Sequence, residues 1–373
     1  MSPIILINHL LEPPGKITGI SNYLFFLLKA LLQRKDFDFV LATSWASSDL
    51  PIQLRQTERL RICTFPFHRS RPRNILAQLS IIPELMRQTG ACLEFNVNPI
   101  GSFSGSWGTI YTVHDLYYDT NSSNYPRHRV LFEKIFFSIS IWRAQFIVCV
   151  SNQTKSDLIM YYPRALKKAV VVHEASGLRP TKPVSYLRPS TYGLFVGNIS
   201  PNKNISTLIA AMDHLVKRDH DIKIFHVGRD EGGEIQNACR KIGTLVQPQT
   251  LGRVSEDELI SLYENATFLA CPSSDEGFCL PVAEAQAFGV PVIASDIPIL
   301  REVAGDGALF FPPNDAHAMA KLIETILSDQ SRWKMVSDAA LLNSKNFSWT
   351  RAAEETAGIF RRALSLPLSV DPN

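Results

Sequence analysis

Short apolar runs alternate along this chain with longer stretches in which apolar positions recur every three or four residues. PIILIN (3–8) is such a run, GISNYLFFLLKALLQR (19–34) follows with helical periodicity, and DFVLAT (38–43) is again strand-like. TIYTVHD, QFIVCVS and AVVVHE continue the strand series in the first half, and YGLFVG (192–197), IKIFHVG (222–228), TFLACPS (267–273) and PVIASD (291–296) do so in the second. Largely apolar strands separated by helical patterns predict an α/β fold with parallel sheets covered on both faces. The segment LRPTKPVSYLRPST (178–191) has three prolines and little periodicity, and it reads as a linker between domains 1–182 and 183–349. Two doubly wound domains joined there are expected to face a central cleft, with ligands at the carboxyl ends of the strands. The final stretch FSWTRAAEETAGIFRRAL (347–364) predicts an amphipathic helix with Ser348 as its N-cap.

Composition places the chain among ordinary globular proteins: 373 residues, 45% hydrophobic and 20% charged, enough for two separate cores. No apolar run is long enough for a membrane span, since Arg143 and Gln145 interrupt the best one, Ile135 to Val150. The N-terminus lacks a basic region before its apolar stretch, so a buried first strand is expected there and not a secretory signal. Six scattered cysteines without a CxxC pair suit reduced thiols in the cytoplasm, with neither a disulfide framework nor a metal site supported.

Charge changes the picture by halves. Residues 1–180 carry 20 Lys+Arg against 12 Asp+Glu, whereas residues 181–373 carry 18 against 23. The basic excess gathers in FHRSRPRN (67–74) and YPRHRVLFEKIFF (125–137), among aromatic residues. A solvated face is one reading, and a patch for anionic lipid or a phosphorylated acceptor is another. A nucleic-acid partner is not expected, because no recognition helix, RNP pattern or zinc knuckle accompanies the charge. The DFD triplet at 36–38 reads as a helix-to-strand turn and not as a metal-binding pair.

The chemistry concentrates in SSDEGFCLPVAEA (273–285). A strand ends near Cys271, a loop carries Glu276 and Gly277, and Pro281 suits the first turn of a new helix. Backbone N–H groups at Phe278, Cys279 and Leu280 would then be unpaired helix-start donors, the arrangement that binds anions. Glu276 lies in the loop and Glu284 in the expected first turn, so both carboxylates are expected to reach one small volume. Acids at both ends of an anion site suit a ligand with phosphate in the middle and hydroxyls at either end, as in a nucleotide diphosphate sugar. Upstream, SEDELISLYENA (255–266) opens with a capping box, Ser255 with Glu258.

The E-x7-E pair within EGFxLPxxEA, with LGRVSEDELISLYENATFLACPS before it and GVPVIASDIPILREVAGDGALFFPPND after it, resembles the signature of retaining glycosyltransferases of family 4. LFVGNISPNKN, VHDL, VSNQTKSDL and TGISNY resemble the same family in the same order, so the likeness spans nearly the whole chain. It implies the GT-B fold, two Rossmann-like domains facing a cleft, with the last helix (about 350–366) crossing back to the N-terminal domain. By this resemblance Glu284 holds the ribose hydroxyls, Glu276 faces the sugar at the reacting end, and Lys203 neutralises the departing diphosphate. His114 in VHDL is implied near the donor sugar and acceptor, and Gly19 opens a helix where backbone can approach phosphate or acceptor. Gly197, Asn198, Asn202, Arg253, Val254, Gly277, Phe278, Cys279 and Leu280 complete the implied donor site.

Two departures stand out. Many relatives have an arginine beside the phosphate lysine, whereas this chain has Asn198 in VGN and Asn202 in PNK, and Arg253 is a candidate substitute. Cys279 replaces the usual glycine of EGFGLP. The resemblance implies metal-independent transfer of a hexose, with mannose favoured, from GDP-mannose or a UDP-sugar, without a cofactor. Front-face substitution at the anomeric carbon is preferred, because no residue stands out as a nucleophile. The acceptor is expected to be a saccharide or a lipid-pyrophosphate-linked saccharide of a surface polysaccharide, used in the cytoplasm or peripherally at the inner face of an anionic membrane. A non-catalytic nucleotide-sugar-binding subunit is the alternative, and a phosphorylase is disfavoured by the lack of a pyridoxal-phosphate lysine motif.

Overall fold

The computed structural model describes residues 2–103, 105–184 and 192–365. The chain divides into two compact units, Met1–Glu174 together with the segment from Trp349, and Ala175–Ser348. Each contains a parallel sheet flanked by helices, as the alternation of apolar runs and helical periods requires.

The first unit holds β1 (Ile4–His9), β2 (Asp38–Thr43), β3 (Leu60–Thr64), β4 (Leu93–Asn96), β5 (Gly108–Val113), β6 (Phe146–Cys149) and β7 (Ala169–Val171). Their order in the sheet is β3-β2-β1-β4-β5-β6-β7. The chain therefore reverses its direction of winding between β1 and β4, which pair in parallel with Leu6 opposite Glu94. β4 is absent from the apolar pattern because it contains Glu94 and Asn96, yet both are fully buried. Glu94 is satisfied there by the Ser102 backbone N–H (3.2 Å) and the Trp107 indole N–H (2.9 Å). β3 was equally hidden, an edge strand carrying Arg61.

The helix Trp349–Ser365 belongs to this unit. Its Phe360 sits edge-on to Phe37 and Phe95, and its Trp349 stacks on Phe26 with ring centroids 5.7 Å apart. Arg361 closes the contact on Asp36 at 2.7 Å. Asp36 thus lies in the turn before β2 and Asp38 opens that strand, each paired with arginine.

The second unit holds β8 (Tyr192–Val196), β9 (Lys223–Val227), β10 (Gln249–Gly252), β11 (Phe268–Cys271), β12 (Val292–Ser295) and β13 (Ala308–Phe311). Their order is β10-β9-β8-β11-β12-β13, so the switch of winding lies between β8 and β11. β10 and β13 extend the sheet beyond the strands read from the sequence; β10 is a polar edge strand whose exposure erased its apolar signal. The linker reading of 178–191 changes where it can be compared: Thr181 and Lys182 donate backbone hydrogen bonds to Glu264 at 2.6 and 3.3 Å, tying this segment to the second unit. Its residues 185–191 lie outside the described part of the chain.

Candidate active site

Open α/β sheets bind ligands at the carboxyl ends of their strands where the winding reverses. In the second unit that point lies between the loops leaving β8 and β11. The β8 loop begins at Gly197, whose N–H donates to Val227 O at 2.8 Å and whose carbonyl accepts from His226 Nε2 at 2.9 Å. Gly228, after β9, has φ +147°, and a Cβ there would run into the Gly197 carbonyl, so glycine permits this close passage of two backbones. Pro201 then starts a tight turn, Pro201–Lys203, that delivers Lys203 to the sheet end.

The β11 loop meets it there. Lys203 Nζ donates to Glu276 Oε1 at 2.6 Å, and Ser273 Oγ donates to the same oxygen at 2.7 Å. Only 16% of the Lys203 side chain and 8% of the Glu276 side chain are exposed, so this ion pair is shielded from water. Burial by itself would lower the Lys203 pKa, but the Glu276 charge, with smaller contributions from Cys279 and Cys271, raises it well above the usual lysine value. The ammonium is permanently charged at neutral pH.

The two asparagines that stand near the expected arginine position have structural work. Asn202 Nδ2 donates to Asp275 O at 3.0 Å, and the Asn202 carbonyl accepts from Ser274 N at 2.8 Å, stitching the β8 loop to the β11 loop. Asn198 Oδ1 accepts from Arg229 N at 3.0 Å, which holds Arg229 at the same sheet end, just beyond β9. Arg229, two residues past the end of β9, was not among the residues named from the sequence; its Nη1 donates to Glu231 Oε1 at 3.1 Å. Arg253 and Val254 lie between β10 and the helix Glu256–Asn265, with Arg253 exposed.

The helix after the β11 loop is Leu280–Ala287, and no side chain caps its start. Glu284 therefore lies beyond the first turn and not within it. Its Oε2 accepts from Tyr263 OH at 2.9 Å, whereas Glu276 faces Lys203, so the two acids have separate partners. Burial raises Glu284, Tyr263 partly offsets this, and the Glu256 charge adds to it, bringing its pKa up to about 7. Cys279, just before the helix, has φ +71° and ψ +66°, a left-handed conformation that suits glycine and strains a side chain. Gly277 and the buried Phe278, whose ring meets Phe347 edge-on, connect Glu276 to it. The cysteines are less scattered than their spacing suggests: the Cys271 and Cys279 sulfurs approach to 3.6 Å.

In the first unit His114 follows β5. Its Nδ1 meets Glu174 Oε1 and its Nε2 meets Val97 O, both at 3.1 Å. Both partners are acceptors, an arrangement that favours the doubly protonated ring over either neutral tautomer. Burial opposes this charge, but hydrogen bonding and charge from Glu174, then Asp115 and the Val97 carbonyl, outweigh it and raise the His114 pKa. His114 lines an open pocket together with Glu12, Asn98, Asp115 and Tyr118. Gly19 opens the nearby helix Gly19–Gln33, whose N-cap Thr18 donates to Glu12 Oε2 at 2.6 Å. A carboxylate thus stands at that helix start, a poor setting for a phosphate and a good one for hydroxyl groups.

With these sites in view, the chain can be set beside the known proteins it resembles. Residues 188–341 match the family described as Glycosyl transferases group 1. The solved structure of HepE from Anabaena in complex with UDP-glucose has a TM-score of 0.74, with 19% identity, over 96% of this chain and 99% of that one. The chain has the GT-B fold. O-antigen chain mannosyltransferase B of Escherichia coli is 29% identical over 270 residues, 68% of this chain and 70% of that protein. Serotype-specific mannosyltransferase WbdA of Escherichia coli is 27% identical over 286 residues, 71% of this chain but only 35% of that longer protein.

Proposed function

We propose that this chain is a retaining, metal-independent glycosyltransferase that moves a hexose, with mannose favoured, from a nucleotide diphosphate sugar to a saccharide acceptor in surface polysaccharide synthesis. The observation that carries the proposal is the buried Lys203–Glu276 pair at the switch point of the second sheet, one short loop from the uncapped helix Leu280–Ala287. The match of this unit to group 1 glycosyl transferases supports it, and the O-antigen mannosyltransferase relatives support the sugar and pathway class.

In this reading Lys203 and the helix start at Leu280 stabilise the diphosphate as it leaves, and Arg229 adds a second cation by exchanging its Glu231 partner for phosphate. Glu284 accepts hydrogen bonds from the ribose hydroxyls. Glu276 holds the Lys203 ammonium in place and presents its remaining lone pairs to the donor sugar. Transfer is by front-face substitution, with the acceptor oxygen entering on the side the phosphate leaves. His114, an imidazolium, acts as a charged hydrogen-bond donor and not as a base. The first-unit pocket, rich in carboxylates with Asn98 and Tyr118, suits the hydroxyls of an acceptor sugar; Ile20, next to Gly19 at the helix start, also lines it.

The helix Arg127–Arg143 supplies the membrane contact in this proposal. Phe132 and Phe136 on its inner side pack with Leu11, Ile75 and Ile100, while Leu131, Ile135 and Trp142 are 62%, 50% and 59% exposed. These three share one stripe, with exposed Arg127 at its start and no exposed acid on the helix. An apolar stripe with a cationic end matches an anionic bilayer surface. Among the described residues no helix is long and apolar enough to cross a membrane.

The test is nucleotide release from a panel of GDP- and UDP-sugars with membrane extract as acceptor source. Release from one donor, with the anomeric configuration kept in the product, is expected; binding without release would favour a non-catalytic subunit.

A further inference from the structure

Transfer chemistry leaves Cys271 and Cys279 without a task, yet they are placed as a pair. Cys271 ends β11 and Cys279 precedes the helix Leu280–Ala287; both are buried and their sulfurs stand 3.6 Å apart. Cys279 reaches this contact from a left-handed backbone, a conformation that strains a side chain. Between the two in sequence, Glu276 turns its carboxylate to the same spot, so that one ligand atom from each of the three lies within 4.8 Å of the others. Ser273 Oγ, 3.8 Å from the Cys271 sulfur, is placed to supply a fourth ligand.

Two thiolates and a carboxylate are the ligand set of a thiophilic divalent cation. The spacing fits as well: zinc–sulfur bonds of about 2.3 Å at a tetrahedral angle put the sulfurs about 3.8 Å apart. A cation already serves this carboxylate, since the Lys203 ammonium lies 2.6 Å from Glu276 Oε1. We propose that Cys271, Glu276 and Cys279 form a site for a thiophilic divalent cation of the Zn²⁺ class, and that this ion competes with the Lys203 ammonium for Glu276. Loading releases two thiol protons to solvent and converts the thiols to thiolates. The resulting cluster carries one net negative charge. The ion therefore acts as an inhibitor that separates Lys203 from Glu276. Binding stands on these residues alone; inhibition rests on the reading of Lys203 as the diphosphate clamp.

Cd²⁺ titration of the full-length chain tests it, read by the ultraviolet thiolate-to-cadmium charge-transfer band. One equivalent is expected to raise the band in wild type and in a Cys63→Ser/Cys92→Ser control, and Cys271→Ser and Cys279→Gly are each expected to abolish it. Cys279→Gly suits the left-handed backbone and keeps the test open if Cys271→Ser folds poorly. Lys203→Met is expected to tighten binding by about tenfold, the size of a typical coupling between competing ligands. No band in wild type, or an undiminished band in Cys279→Gly, would overturn the site, and unchanged affinity in Lys203→Met would overturn the competition. Nucleotide release measured across the same titration separates the two readings: a bound ion that leaves release untouched refutes inhibition through Lys203 while the site stands.

Discussion

Lys203 Nζ lies 2.6 Å from Glu276 Oε1, joining the loop after β8 to the loop after β11 at the point where the second sheet reverses its winding. These residues are 73 positions apart in the chain, and only the parallel pairing of β8 with β11 brings them together. The pair is both a structural tie and the proposed phosphate clamp, so its two roles need separate measurements.

The structural role predicts strong coupling. Lys203→Met leaves the Glu276 carboxylate buried without its counter-ion and is expected to cost about 3–5 kcal/mol of stability. Adding Glu276→Gln removes the stranded charge and should recover most of that loss. Denaturant midpoints of the two single variants and the double variant check this; additive losses would show that the pair is not coupled.

Glu284 predicts two opposite pH dependences. Its folded pKa of about 7 stands above the ordinary 4.5, so the stability it contributes is fully present below about pH 4.5 and is lost as pH rises through 7. Glu284→Gln should thus melt higher than wild type at pH 8 and close to it at pH 4.5. Donor binding runs the other way, because ribose hydroxyls prefer the carboxylate: donor affinity should rise between pH 6 and pH 8 in wild type, and calorimetry should find a released proton. Glu284→Gln should show neither effect.

His114 predicts a histidine charged beyond its usual range. Glu174 holds it, so Glu174→Gln should lower the His114 pKa, as read from its ring proton shifts by NMR. Stability from this pair is complete below the ordinary histidine value of 6.5 and is lost as pH rises through the higher folded value. An unchanged titration in the variant would remove Glu174 as the cause.

The exposed stripe predicts vesicle binding that depends on lipid charge. Ile135→Asp with Trp142→Asp should weaken sedimentation with phosphatidylglycerol vesicles by about tenfold or more, each side chain contributing on the order of 1–2 kcal/mol of apolar burial. Neutral vesicles should bind weakly, and added salt should release the protein. Equal binding of the variant would place the contact elsewhere.

Much of this was legible in the amino-acid pattern, for a physical reason. Strands buried on both faces read as apolar runs, so β1, β2, β8 and β9 were evident, and the residues just beyond such strands were already site candidates. Glu276 was named that way, whereas Lys203 and His114 were named through the family resemblance. What escaped depends on satisfied polarity or on distance along the chain. β4 carries a buried Glu94 whose partners come from a later loop. Glu174 and Tyr263, the hydrogen-bond partners of His114 and Glu284, lie 60 and 21 positions away from them. Asn198 and Asn202 looked like losses from a cationic site, whereas the structure uses them to stitch loops and to seat Arg229.

The most direct test of the central claim is the rate of nucleotide release from the preferred donor by wild type, Lys203→Met and the Lys203→Met/Glu276→Gln double variant, each at saturating donor. Lys203 as clamp predicts a fall in kcat of about a hundredfold or more in both variants, with donor affinity changed far less, because the lost interaction is strongest as the diphosphate departs. A double variant that regains stability and turns over at the wild-type rate would contradict the account, leaving the pair a structural tie alone.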